Sequence, residues 1–338
     1  MSWRAFLRTL ITTFVVVSVL VYLLIVLVDP YQHVPFSLPL DRAPISTNQR
    51  FAYPALARDA TFDSVVIGSS TMRLLDPEHL DLLLDTRFAN LAMNSATAYE
   101  QMRIHDLFVR RHPTTKVVLI GIDDSWCKRE TSYEKYTFRE FPEWMFDENP
   151  WNDLLYLFND KALENSVRLL EFVAGKRSPK YEKNGYRDFT LGFGTYNKGV
   201  IAKTLYPKGS PDEPRVPTLN PSNDHPKWKF ATHELLRNML RHELAKKAET
   251  ILVFAPLHGD YLARGAVLYA ECKTRLLRIA EANSVRVIDF MIDSEITRVD
   301  DNYWDSLHYR APVARILERD IAAVLRESVL QSSRYRTY

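Results

Sequence analysis

The sequence predicts an α/β protein: a three-layer α/β/α sandwich around a parallel sheet of about five strands, with an N-terminal transmembrane helix and a long mid-chain insertion. Three observations carry this expectation. Short β-branched and apolar runs alternate with helical stretches. Several of those runs are apolar throughout, as in strands covered on both faces. Near the N-terminus, Thr9 to Val28 carries no charge. The composition, 46% hydrophobic and 25% charged over 338 residues, allows a sizeable core. With 44 basic against 42 acidic residues the net charge is only +2, which gives no field for nucleic acid.

Residues 1–8 read as a cytoplasmic tail and residues 9–28 as the span. At 1.5 Å per residue that span covers about 30 Å, the hydrocarbon thickness of a bilayer. Arg4 and Arg8 precede it and Asp29 follows. The positive-inside rule then puts the N-terminus in the cytoplasm and the main domain outside the inner (cytoplasmic) membrane, periplasmic or extracellular. A cleaved signal peptide is the rival reading. Its apolar region would be roughly 7–15 residues long and end in a small-residue cleavage site, whereas this run ends in Val28-Asp29-Pro30-Tyr31.

Residues 29–60 are Pro-rich and read as a tether, with a short helix over Phe51 to Arg58. The domain expected over 61–330 begins with a strand at Ser64 to Ile67 and a helix over Thr71 to Leu84, broken near Pro77. A strand at Phe88 to Leu91, a helix at Tyr99 to Arg111 and a strand at Lys116 to Gly121 follow. Residues 125–225, rich in aromatics and prolines, read as an insertion with one helix at about Asp153 to Val173. The alternation resumes with helices at Trp228 to Lys247, Arg264 to Ala282 and Pro312 to Val329, and strands at Thr250 to Ala255 and Val285 to Phe290. Two cysteines, Cys127 and Cys272, are too few for a disulfide framework; they fit a single pair or two buried thiols equally.

In a parallel sheet, ligands bind beyond the carboxyl ends of the strands. The first strand ends in Gly68-Ser69-Ser70, where a helical turn begins and its unpaired N–H groups can bind an oxyanion; serine there also serves as a plain N-cap. After the last strand comes Asp305-Ser306-Leu307-His308. An aspartate three residues before a histidine can face it on one turn and hold its ring. His308 would then take the Ser70 proton as general base. Of the other candidates, His258 follows a strand and lies near the same rim. His105 and His112 read as a solvated helix face. Asp123 and Asp124 lack a partner at metal-ligand spacing, so no metal and no cofactor is expected. Trp144, Trp151, Tyr186 and Tyr196 suit either core packing or stacking on sugar rings.

These motifs resemble those of the SGNH (GDSL-type) hydrolase superfamily. The resemblance covers roughly residues 63–126 and 250–327. Gly68-Ser69-Ser70 is similar to the family's Gly-Asp-Ser block and Asp305-x-x-His308 to its last block. Asn90 to Ser95 and Gly121-Ile122-Asp123-Asp124 are similar to the two middle blocks, with Ser95 in place of glycine and Asp123 in place of asparagine. The resemblance implies Ser70 as nucleophile, His308 as base, Asp305 as its orienting carboxylate, and an oxyanion site drawn from Ser95, Asn94 or Asp123. A charged Asp123 cannot donate a hydrogen bond. The layout also resembles membrane-anchored envelope members of the superfamily. That resemblance implies an esterase or O-acyltransferase acting on an envelope or exported polysaccharide, or else a degenerate domain that binds glycan or an envelope protein partner.

Overall fold

The computed structural model describes residues 2–206, 217–222, 224–246, 248–327 and 332–338. The parts of the predicted insertion at 207–216 and 223, and the predicted helix ends at Lys247 and Val329, lie outside the described residues. In chain order the elements are α1 (Trp3–Val28), α2 (Gln49–Leu56), β1 (Ser64–Ile67), α3 (Pro77–Leu84), β2 (Phe88–Asn90), α4 (Ala98–Arg111), β3 (Val117–Ile122), α5 (Pro150–Tyr156) and α6 (Asp160–Val173). They continue with α7 (Lys198–Leu205), α8 (Thr232–Lys246), β4 (Glu249–Phe254), α9 (Gly259–Arg264), α10 (Ala266–Ala282), β5 (Arg286–Asp289), α11 (Glu295–Arg298), α12 (Ala311–Glu327) and β6 (Arg336–Thr337).

The chain is α/β, and the described residues form one mostly parallel six-stranded sheet in the order β2-β1-β3-β4-β5-β6. The first five strands run parallel and β6 pairs antiparallel with β5. The apolar runs explain the central strands: every residue of β1 and β3 is buried, as expected for strands packed on both faces. The sixth strand was not expected. It is two polar residues long, and what seats it is Tyr335, buried in the core with its ring 5.5 Å from Phe290.

One predicted helix is split and another starts late. The single helix expected over Asp153 to Val173 is α5 and α6, because Asn159 leaves the helix and accepts from the Ala162 amide as an N-cap. The helix expected over Arg264 to Ala282 is α10, which starts at Ala266; Arg264 closes α9, and at Gly265 between them a Cβ would fall 2.7 Å from the Tyr269 ring. The helix expected from Thr71 begins as a 3-10 turn, Ser70–Met72, and resumes at α3 under an Asp76 cap. Cys127 and Cys272 form a disulfide. His105 and His112, expected on a solvated face, are buried, and His112 bonds the Phe108 and Asp59 carbonyls.

The chain divides into two compact units. The first joins residues 1–55 to 141–183, so that α1 packs on α6. The second, residues 56–140 and 184–338, holds the whole sheet. Among the described residues one helix, α1, is long and apolar enough to cross a membrane by length and composition.

Candidate active site

The five parallel strands point their carboxyl ends to one edge of the sheet, and the predicted site residues gather there. Beyond β1 the chain turns sharply through Gly68 and Ser69 into the 3-10 turn that begins at Ser70. Two glycines let this turn lie close against the sheet. Met72 fills the space where Gly68 and Gly121 lack side chains; a Cβ at Gly68 would meet Met72 Cγ at 2.5 Å. Asn90, at the end of β2, fastens the same turn. Its amide donates to the carbonyls of Met72 (3.1 Å) and Leu75 (2.7 Å), and its oxygen accepts from the Ala92 amide (3.1 Å). Fixing those donors and acceptors matters because Asn90 is buried, where an unpaired amide is costly.

Asp305 and His308 lie on the loop between α11 and α12. Tyr303 and Tyr309 pair across its base, the Trp304 amide donates to the His308 carbonyl at 2.8 Å, and the His258 amide donates to the Ser306 carbonyl at 3.0 Å. Asp305 accepts from the Leu307 and His308 amides at 2.8 and 2.9 Å and from His308 Nδ1 at 2.7 Å. On the other side of the ring, His308 Nε2 lies 2.8 Å from Ser70 Oγ. Burial alone would raise the Asp305 pKa; the His308 hydrogen bond, the His308 charge and the two loop amides outweigh it and lower the value. The Phe189 ring meets the imidazole edge-on at 5.7 Å and carries the Arg73 guanidinium over its face at 4.5 Å. His258 sits behind the loop, bonded to Asp300 at 3.0 Å.

The structure therefore brings Ser70, His308 and Asp305 into one hydrogen-bonded line. Of the oxyanion candidates it brings in Ser95 and leaves out the other two. Ser95 lines a cleft of about 390 Å³ together with Ser70 and His308. Its φ of 54° is a left-handed conformation that suits glycine best. The Ser70 and Ser95 amides have no hydrogen-bond partner among the described residues. Asn94 does not line the cleft. Asp123 is fully buried behind it: one oxygen accepts from the hydroxyls of Ser69 and Thr71, the other from the amide and hydroxyl of Ser125. Asp123, expected as an oxyanion group, does not line the cleft, and both its oxygens are taken up by these four donors.

Sequence reasoning missed three parts of this arrangement: the Ser69, Thr71 and Ser125 hydroxyls that satisfy Asp123, the Phe189 ring against His308, and the place of Asp124. Ser125, two residues after Asp123, was the one readable hint, since an aspartate often accepts from the amide two residues on. Asp124 lines the cleft. Burial first, and then the neighbouring Asp123 charge, push its pKa up to about 6, against the opposing pull of Lys128 and His308.

The fold and site define an α/β protein with a serine, a histidine and an aspartate in hydrogen-bonded sequence at the carboxyl edge of its sheet. No family model matches the chain, and no curated protein matches it.

Proposed function

We propose that the chain is a membrane-anchored serine esterase or O-acyltransferase of SGNH type, with a three-layer α/β/α domain acting on a hydroxyl-rich envelope polysaccharide. The observation that carries the reading is the His308 ring held between Ser70 Oγ and Asp305. In the reaction, Ser70 Oγ attacks an ester carbonyl as His308 Nε2 takes its proton. Asp305 holds Nδ1 and stabilises the imidazolium. The oxyanion accepts from the Ser70 and Ser95 amides, donors without a partner among the described residues. His308 then returns the proton to the departing alkoxide, leaving an acyl-serine. Water or a sugar hydroxyl, deprotonated by the same nitrogen, attacks that ester and frees Ser70.

The cleft walls offer polar partners to a glycan. They include Ser95, Thr97, Asp124, Ser125, Lys128 and Glu130, a polar set, with the exposed ring of Phe138 available to stack on a sugar. The reading as a degenerate binding domain drew on Asp123, and Asp123 lies outside the cleft with its own partners.

An uncleaved anchor is supported by the way the end of α1 is built into the first unit. Ile25, Val26 and Val28 are buried, Arg42 caps the Val28 carbonyl at 2.9 Å, and Asp29 accepts from the His33 and Val34 amides. Removal of α1 would strip that core. Arg4 and Arg8 favour an N-terminus inside, and the Cys127–Cys272 disulfide suits an oxidising compartment outside.

A fluorophosphonate probe on the detergent-solubilised full chain tests the proposal. Labelling is expected on the native protein, absent in Ser70→Ala, and slowed on the order of 10³–10⁴-fold in Asp305→Asn. Equal labelling of Ser70→Ala would remove Ser70 from the chemistry.

A further inference from the structure

We propose that α5 and the segment leading into α6 lie in the headgroup layer of the same bilayer that α1 crosses, so that the first unit holds the membrane through a second, interfacial contact. The inference rests on α1 being a membrane span and goes beyond it.

The depth of α5 follows from its contacts with α1. The Tyr22 hydroxyl donates to the Leu154 carbonyl at 2.9 Å, and the Tyr22 ring meets Phe158 edge-on at 5.9 Å. Tyr22 lies six residues before Val28, about 9 Å along the helix axis at 1.5 Å per residue. The far end of α6 sits higher: Leu169 and Phe172 cluster with Val28 and Ile45. Thus α6 climbs past the top of α1, while the end of α5 and the start of α6 hang beside its last apolar turns.

The opposite face of α1 shows how far the lipid must reach. Leu23, Leu24 and Leu27 are exposed, at 47%, 39% and 42%. A bilayer that covers Leu27 extends above the level of Tyr22 and so meets whatever packs there on the other side. What packs there is an apolar surface. Leu155 is 82% exposed, Trp151 62% and Phe158 57%, and Phe36, also exposed, lies against Trp151 at 6.2 Å. The one acid on α5, Asp153, is buried against His33 at 2.8 Å rather than turned outward. Two aromatic rings and a leucine beside a span, with the one acid of α5 turned inward and the charges of Glu148, Asp160 and Lys161 exposed at its two ends, match what the headgroup layer takes up.

The test places a fluorophore on single cysteines in the full chain, reconstituted in phosphatidylcholine vesicles. The positions are Val16→Cys on α1, Leu155→Cys on α5 and Lys176→Cys just beyond α6; the native cysteines are bonded to each other. Nitroxide lipids and aqueous iodide are the two quenchers. The expected result is at least twofold stronger nitroxide quenching at Val16 and Leu155 than at Lys176, Leu155 responding to a shallow nitroxide and Val16 to a deep one. Iodide quenching at Leu155 equal to that at Lys176, with Val16 still quenched from the lipid, overturns the interfacial contact and leaves the anchor standing. Iodide quenching at Val16 overturns the anchor, and the interfacial contact with it.

Discussion

Asp123 and Asp124 are neighbours in the chain and face opposite surroundings: Asp123 is buried with four donors on its two oxygens, while Asp124 lines the cleft beside Ser70 and His308. The first fixes the turn that carries Ser69. The second puts a titrating carboxyl next to the imidazole that the proposed chemistry needs.

That difference gives a pH prediction. With its pKa pushed up to about 6 by burial and by Asp123, Asp124 gains its charge across the range where a histidine base must lose its own. A carboxylate nearby favours the protonated ring; an amide does not. Asp124→Asn is therefore expected to move the acid limb of kcat/KM for ester hydrolysis to lower pH, by up to about one unit. An acid limb that stays in place or moves upward would show that Asp124 does not act on His308.

The disulfide bears on the same turn. Cys127 directly follows the 3-10 turn of Asp124 to Trp126, and its partner Cys272, 145 residues away, lies on α10. Closing so long a loop restricts the unfolded chain, an effect worth about 2–5 kcal/mol. Replacing both cysteines by serine should lower the urea midpoint by a corresponding amount. It should also slow fluorophosphonate labelling of Ser70, since Asp123, just before that turn, accepts from Ser69 and is itself held by Ser125. Coincident unfolding curves for the native and double-serine chains would deny the bridge any structural role.

Five of the strands were legible because each is a short run of β-branched and apolar residues, and burial on both faces demands that composition. Ser70, Asp305 and His308 were legible because they stand just past strand ends, where a parallel sheet leaves room for a ligand. The rest depended on contacts distant in sequence. β6 owes its place to Tyr335 in the core rather than to Arg336 and Thr337 themselves. The grouping of residues 141–183 with the N-terminal segment depends on α1 packing against α6. The inward turn of Asp123 required knowing that Ser69, Thr71 and Ser125 converge on it. A motif comparison sees only that an aspartate stands where the resembling family has asparagine.

Away from the cleft, Glu318 on α12 carries a stability prediction. Its side chain is fully buried, accepts from the Asp76 amide and from Arg315 at 2.7 Å each, and bonds His79. Burial raises its pKa to about 8; the Asp76 amide and the Arg315 charge offset only part of that rise. Relative to an unfolded glutamate near 4.5, the folded state holds the proton more tightly. The stabilisation is therefore fully present below about pH 4.5 and is lost as pH climbs through 8. His79 opposes this at lower pH, since burial and then Arg315 depress its pKa from 6.5, and the penalty of charging it grows as pH falls below that value. The useful window lies between pH 6.5 and 8, where the residual titration of His79 is common to both chains and their difference isolates Glu318. Across it the native chain should lose up to about 2 kcal/mol that Glu318→Gln, which mimics the protonated acid, does not lose. Thermal melts of the two chains at half-unit steps decide the matter. Parallel Tm profiles over that window would mean that Glu318 is already ionised in the fold, held by Arg315 despite its burial.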